Sequence, residues 1–341
     1  MTGRGLLSSC DKPRLTARGE RIRADLILLA VAVVWGSSFV AGRVAAAHLD
    51  PFLYNGLRFT LGVLTLLPFV GRRLRGLTRV ELWGGVLVGL LLFGASSAQQ
   101  VGLEFTTAGK AGLINGLYVV LVPLFLALAW RRWPRWSVWG ASLLATAGMF
   151  LLSGLTGFTL APGDGLELVA AVLWAFHVIF IGRLAQRTDA LRLALVQYLV
   201  CGLLSLGLGL GMSLQGLTVA WWAVLYTGVF SIGLGFTLQV VAQRWAPATD
   251  AAIILSMESV FAALSGWLLL GERLTPRQLF GCGLMLGGMV LAQVGTSRSP
   301  FTCPLRLGDG PKVKVASDSP DCQGLPVGGE GDAQHLSQRC G

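Results

Sequence analysis

The most constraining feature of this sequence is that it repeats itself, and that each copy holds an odd number of apolar segments. Asp25 to Ala45, with Trp35 followed by Gly42-Arg43-Val44-Ala45, recurs from Asp164 onward, where Trp174 is followed by Gly182-Arg183-Leu184-Ala185. Asp50 with Arg58-Phe59 matches Asp189 with Gln197-Tyr198, Gln99 matches Gln239, and Lys110-Ala111 matches Asp250-Ala251, all at an offset near 140 residues. Trp139 to Gly148 likewise matches Phe280 to Gly288. The apolar segments read as 25–45, 51–70, 82–103, 108–130, 137–155, 165–184, 191–212, 218–241, 249–270 and 276–296, five in each copy. Segments of about 20 apolar residues cross a bilayer as helices. After an odd number of crossings the second copy starts from the opposite face, so the repeat is inverted, an arrangement many transporter folds use. The expected fold is an all-α polytopic membrane protein of ten transmembrane helices, as two inverted five-helix repeats over 25–155 and 165–296.

Composition agrees. The chain is 54% apolar and 13% charged, against about 25% charged residues in soluble domains, and its mean hydropathy is +0.67. This excludes a soluble enzyme, a nucleic-acid-binding domain and a disulfide-stapled secreted module. The formal charge of +10 sits in short clusters between apolar segments, such as Arg72, Arg73, Arg75 and Arg79, where basic residues set topology. With the N-terminus in the cytoplasm, the inside holds residues 1–24, the 72–79 cluster, Arg131, Arg132, Arg135, Arg183, Arg187, Arg192, Arg244 and the C-terminal tail. The outside then holds Arg43, Lys110, Arg273 and Arg277. The expected location is the plasma membrane (a bacterial inner membrane), multi-pass, with both termini cytoplasmic. Residues 1–24 are a polar, basic tail, and 297–341, rich in Gly, Pro, Ser and Cys, read as a disordered cytoplasmic tail. Cys201 and Cys282 lie in apolar segments; Cys10, Cys303, Cys322 and Cys340 lie in the tails, without metal-ligand spacing. The first segment has the outline of a signal peptide, with Ala45-Ala46-Ala47 as a cleavage site, but the repeat requires it to stay in the fold.

The residues from Ser256 to Gly281, SMESVFAALSGWLLLGERLTPRQLFG, resemble the EamA branch of the drug/metabolite transporter superfamily. Members typically carry a Glu-Pro pair in the ninth span, an apolar run, Gly-Glu and a short Leu-Thr/Pro-Gln-Gly connector. Here Glu258, Gly271-Glu272, Leu274-Thr275-Pro276, Gln278 and Gly281 match, and Ser259 stands where the family usually has proline. Trp35-Gly36-Ser37-Ser38-Phe39, Arg58-Phe59 and Pro123 match in the first half. The resemblance covers about 25–296. It implies a central cavity between the halves and export or exchange of small metabolites by alternating access, without naming a substrate.

Polar residues inside the apolar segments are the candidate site. A charge in a bilayer is costly and reads as functional by default. Glu258 lies about nine residues into its segment, about 13 Å deep at 1.5 Å per residue. It either binds a cationic substrate group or couples a proton, or is a packing carboxyl hydrogen-bonded to a neighbouring helix. Arg58 offers a planar fork to a substrate carboxylate, or pairs with an acid, or snorkels outward; its repeat counterpart is Gln197. Trp35 with Ser38, and Trp174 with His177, share helix faces at matching places in the halves. They line a cavity or pack between helices. Asn115 and Tyr118 share a face, Tyr118 aligns with Glu258, and Gln99 aligns with Gln239. Each of these is cavity lining or an interhelical hydrogen bond. Ser96, Gln99 and Gln100 can equally line an exit.

Gly85–Gly89, Gly112–Gly116 and Gly283–Gly287 are GxxxG pairs, which permit close helix approach. The last pair makes a homodimer contact a possibility, beside intramolecular packing. Glu272 beside Arg273 reads as a loop ion pair at a helix boundary. No GxxxxGK[ST] motif is present, and no HExxH or paired-histidine spacing occurs, so no cofactor or metal is expected. The expected partners are a small-molecule substrate and the lipid bilayer, not nucleic acid. The reading is therefore a non-enzymatic secondary transporter, exporting or exchanging an amino acid-like, amine or drug-like compound. The alternatives are a polytopic enzyme acting on lipid-linked substrates, or a channel.

Overall fold

Inside hydrocarbon no water is available to satisfy backbone N–H and C=O groups, so an apolar chain must close its hydrogen bonds within helices. The computed structural model describes residues 12–106, 108–131, 133–153, 161–270 and 274–297. Among them there are helices and no strand. The first repeat comprises α1 (Lys12–Ala46), α2 (Pro51–Val70), a 3-10 turn (Gly71–Gly76), α3 (Arg79–Phe105), α4 (Ala108–Asn115), α5 (Tyr118–Trp130) and α6 (Trp136–Leu152). The second comprises α7 (Pro162–Leu184), α8 (Ala190–Gly209), α9 (Leu217–Tyr226), a π-helical stretch (Thr227–Phe236), α10 (Thr237–Ala242), α11 (Ala248–Leu255), α12 (Glu258–Leu270) and α13 (Pro276–Ser297). Counting α4–α5, α9–π–α10 and α11–α12 as single crossings gives ten transmembrane helices in two inverted sets of five. By length and composition, eight of the described helices are apolar enough to span a membrane, and Trp136–Leu152 is a shorter apolar one. The first helix begins at Lys12, so part of the segment read as a tail continues it. Glu272, Arg273 and the tail from 298 onward lie outside the described residues.

The inverted relation shows in how helices start. The Asp50 carboxylate accepts from the N–H groups of Phe52 (2.9 Å) and Leu53 (3.0 Å) and caps α2. Its counterpart Asp189 accepts from those of Leu191 (3.0 Å) and Arg192 (3.2 Å) and caps α8 at the opposite face. Each such cap is worth about 1 kcal/mol. We term the face where α1 ends and α2 begins the upper face, and the other the lower.

Two self-paired contacts join the repeats: α2 packs on α8, and α6 on α13. The second uses glycine in a symmetric way. A Cβ on Gly148 would meet the Gly281 carbonyl oxygen at 2.5 Å, and one on Gly288 would meet the Ala141 oxygen at 2.8 Å. Positions 141 and 148 are the repeat mates of 281 and 288, so one contact is the other seen from the second half. The GxxxG pair expected to mediate packing at this span does not: Gly283 and Gly287 have open space where a Cβ would be. The neighbouring glycines make the contact because they, not the motif pair, face α6.

Two interruptions were not legible as apolar periodicity. Gly116-Leu117 separates α4 from α5, and Ser256-Met257 separates α11 from α12. The breaks occupy equivalent places, so Tyr118 and Glu258 are each the first residue of a half-helix. In the first turn of a helix proline is tolerated, whereas here the Ser259 N–H donates to the Ser256 oxygen at 3.2 Å, a bond proline cannot make. The third interruption, the π-helical stretch, exists in the second repeat alone; the equivalent part of α3 is regular α-helix.

Candidate functional site

A cavity of about 290 Å³ lies between the two repeats, bounded by α1 to α5 on one side and by α7, the π-helical stretch and α10 to α12 on the other. Its wall contains Trp35, Ser38, Arg58, Gln99, Asn115, Tyr118, Trp174, Gln239 and Glu258. These are all of the residues singled out from sequence as cavity lining except His177 and Ser96. They come from eight helices, α1 to α5, α7, α10 and α12, and converge on one cavity. Sequence reasoning missed Tyr54, Thr227, Ser231 and Phe236 in the wall. Tyr54 stands one turn before Arg58, and Thr227 and Ser231 stand one turn apart, so helical spacing could have found them. Ser96 is buried away from the cavity, its hydroxyl donating to the Leu92 oxygen at 2.6 Å, while Gln99 and Gln100 line it.

The wall is aromatic with polar points. Trp35 lies 4.5 Å from Phe236 between ring centroids, and Trp174 stacks on Phe236 at 5.8 Å and 17°. The Trp35 indole N–H donates to the Ser231 carbonyl oxygen at 3.1 Å, so α1 is tied to the π-helical stretch. Trp174 donates to the Gln99 side-chain oxygen at 3.3 Å, joining the halves again. The Ser38 hydroxyl donates to the Trp35 oxygen at 2.8 Å. Tyr54 donates to the Thr227 hydroxyl at 3.1 Å.

Arg58 and Glu258 are the two charged residues in the wall. The Arg58 guanidinium carbon sits 4.8 Å from the Tyr54 ring centroid and 5.4 Å from that of Phe59, and its Nε has no hydrogen-bond partner. The aromatic faces hold the cation without consuming its donors. The side-chain oxygens of Asn115 and Gln239 are also buried and unpartnered. Such groups are costly to leave unmade, so residues of the wall hold donors and acceptors that no protein group uses.

Gly36 sets the approach of α1 to α12. A Cβ there would meet Phe261 Cβ at 2.5 Å and the Glu258 carbonyl oxygen at 2.7 Å, so the small residue lets Trp35 and Glu258 face the same space.

The lining reaches the upper face through Gly42, Ala46, Tyr54, Gln100 and Leu103, and a smaller hollow beside it is lined by Ala46, Leu49, Pro51, Tyr54, Gln100 and Glu104. On the lower side the structure is sealed. Gln243 donates to the Val178 oxygen at 3.0 Å, and Arg244 donates to the Ala185 oxygen at 3.2 Å. Below these, Arg21 of α1 forms an ion pair with Asp250 of α11, which is 1% exposed. A second lower-face tie joins α3 to α8: Glu81 accepts from the Asp189 N–H at 2.9 Å and from Arg192 at 3.0 Å.

His177 lies behind the wall, fully buried, its Nε2 donating to the Gln197 side-chain oxygen at 2.9 Å. Its ring stands edge-on to Trp174 and Phe236. Among the described residues no group of three His, Cys, Asp or Glu is placed to hold a metal ion.

Comparison with known proteins agrees with this architecture. Residues 22–154 and 161–293 each match the EamA-like transporter family. The chain is 33% identical over 278 residues to an "Uncharacterized transporter" of Archaeoglobus fulgidus, covering 81% of this chain and 87% of that protein. It is 28% identical over 284 residues to the threonine/homoserine exporter RhtA of Escherichia coli K12, covering 80% and 90%. A solved crystal structure with 22% identity superimposes with a TM-score of 0.70 over 80% of this chain and 98% of the other, which supports the fold.

Proposed function

The chain belongs to the EamA-like transporter family, and from that premise we propose that its cavity carries a small zwitterionic, amino acid-like metabolite across the bacterial inner membrane by alternating access, as an exporter or exchanger. The protein is a multi-pass membrane transporter and not an enzyme, as its family and named relatives are transporters. The observation that carries the finer reading is that one basic and one acidic side chain, Arg58 and Glu258, stand in the wall of a cavity of about 290 Å³. That volume lies at the small end of ligand sites. A substrate with both a carboxylate and an ammonium group meets both charges, whereas an amine or an acid alone leaves one unmatched. The name of the relative RhtA, an exporter of threonine and homoserine, supports the same class.

In this reading Arg58 takes the carboxylate through its planar fork, and the unused acceptors of Asn115 and Gln239 take further polar groups. Trp35, Trp174 and Phe236 enclose the apolar part. Glu258 takes the ammonium group when substrate is bound and a proton when it is not, so the two ligands exclude one another and exchange. With the N-terminus in the cytoplasm, as the basic clusters favour, the upper face is extracellular and the structure is the outward-open state.

The test uses everted membrane vesicles, acid inside, with pools of amino acids, amines, nucleosides and cationic drugs and a pH-sensitive dye. Saturable proton release with the amino acid pool, lost in Glu258→Gln, is the expected result. Release without saturation points to a channel. Transport that persists unchanged at all pH values in Glu258→Gln removes proton exchange at this residue. Equal transport of an amino acid and its decarboxylated amine removes the carboxylate role of Arg58.

A further inference from the structure

In the first repeat Ser38 and Arg58 line the cavity. Their repeat mates, His177 and Gln197, lie on the lower side of the same layer, because the second repeat enters from the opposite face. There they are fully buried and hydrogen-bonded to each other. The pair is not a finished interaction. His177 Nδ1 and Gln197 Nε2 have no hydrogen-bond partner. Two packing residues selected to stay buried would have their remaining donors and acceptors matched, or would be apolar, since an unmade hydrogen bond in a dry site costs more than none at all. The same positions in the other half show what they do when a vestibule opens beside them: they become wall.

An inverted repeat gives the chain two arrangements related by a pseudo-two-fold axis in the membrane plane. In switching, each half takes up the conformation the other half had. The contacts of Gly148 with Gly281 and of Ala141 with Gly288 are exchanged by that axis and so look the same from either half. The asymmetric features change sides. The lower seal is formed by Arg21 with Asp250, Gln243 with the Val178 oxygen and Arg244 with the Ala185 oxygen, the last two on the lower part of α7, the helix that carries His177.

We infer that His177 and Gln197 form the lower-face counterpart of the Ser38–Arg58 site, a neutral hydrogen-bonding subsite for the substrate's carboxylate that becomes cavity wall when the lower seal opens. The inference rests on the reading of the cavity as the carrier's binding site. It makes recognition unequal at the two faces: a fixed cation meets the carboxylate on the upper side, and an imidazole and an amide meet it on the lower.

The experiment places single cysteines by Ser38→Cys and by Gln197→Cys in a chain whose own six cysteines are replaced by alanine. A membrane-impermeant methanethiosulfonate is added to right-side-out and to inverted vesicles. The expected result is that position 38 reacts from one face alone and position 197 from the other alone. Cross-linking Arg21→Cys to Asp250→Cys with a short bis-methanethiosulfonate is expected to abolish reaction at 197 and leave that at 38 unchanged. Position 197 reacting from the same face as 38, or from neither face in vesicles where 38 reacts, overturns the inference. If Gln197→Cys does not reach the membrane, His177→Cys takes its place with the same expected outcomes. A failure of position 38 to react from either face overturns instead the reading of the cavity as a water-accessible binding site, and this inference with it.

Discussion

The two halves of this protein descend from one pattern, yet at the same repeat position one carries an arginine facing a cavity and the other a glutamine closed onto a histidine. The third helix diverges in the same sense. In the first half it is a regular α-helix, Arg79–Phe105, whereas in the second Thr227–Phe236 is wound as a π-helix and contributes Thr227, Ser231 and Phe236 to the cavity wall. Runs of π-helix are rare and cluster at functional sites. The scaffold contacts, by contrast, are shared: equivalent caps at Asp50 and Asp189, equivalent breaks before Tyr118 and Glu258, and equivalent glycine crossings between α6 and α13. What the comparison teaches is that symmetry is kept in the caps, breaks and crossings that build the scaffold and lost among the residues that surround the cavity.

The largest effect is expected from forcing the second half to imitate the first. Gln197→Arg puts a charge into a fully buried place, at a cost of about 3 kcal/mol on insertion scales. At 1.4 kcal/mol per tenfold, the observed conformation loses about 100-fold in population. Upper-face labelling of Ser38→Cys in that background measures the loss, and unchanged labelling would break the comparison.

The reverse exchange, Arg58→Gln, removes charge-assisted bonds worth about 1.5–3 kcal/mol. It is expected to raise the half-saturating concentration for a zwitterionic substrate by about tenfold to 100-fold, with a smaller effect on the matching amine. Transport kinetics on both compounds check it.

A third pair sharpens the contrast at the helix crossings. Gly36 is in van der Waals conflict with any Cβ, whereas its repeat mate Ala175 is accommodated and fully buried. Gly36→Ala is expected to destabilise by about 1–3 kcal/mol through overpacking, and Ala175→Gly by about 1–2 kcal/mol through lost helix propensity and one buried methyl. Thermal unfolding in detergent separates the two.

The smallest difference is expected between the paired tryptophans. Trp35→Phe and Trp174→Phe each delete one hydrogen bond, worth about 1 kcal/mol. The first leaves the Ser231 carbonyl of the π-helical stretch without the indole N–H, while the second leaves Gln99 free to turn toward the cavity. Trp35→Phe is therefore the more destabilising, and equal shifts in unfolding temperature would contradict the role given to that tie.

Much of the cavity wall was legible in advance. Trp35, Trp174, Gln99 and Gln239 stand out because they repeat, and Arg58 and Glu258 because charge in an apolar segment is rarely accidental. Asn115 and Tyr118 follow from the match of Tyr118 to Glu258. His177 shows the limit of this reasoning. It shares a helix face with Trp174, but in the structure its ring is turned onto Gln197 rather than into the cavity, and periodicity carries no such information. The helix breaks at Gly116-Leu117 and Ser256-Met257 were hidden for a related reason. Apolar residues continue across them, and the interruption lies in the hydrogen bonds.

By itself the sequence determined the crossing helices, the inversion of the second half and the set of polar residues carried at mid-depth. These follow from hydrophobic periodicity and from counting, because a bilayer leaves the backbone no alternative to helices that span it. Only the tertiary structure decided which end of the cavity is open, which mid-depth residues share a wall, and where helices break or widen. Those outcomes turn on close contacts between residues far apart in the chain, Gly36 against Glu258, Trp35 against Ser231 and Arg21 against Asp250, and such contacts form only once all the helices are packed.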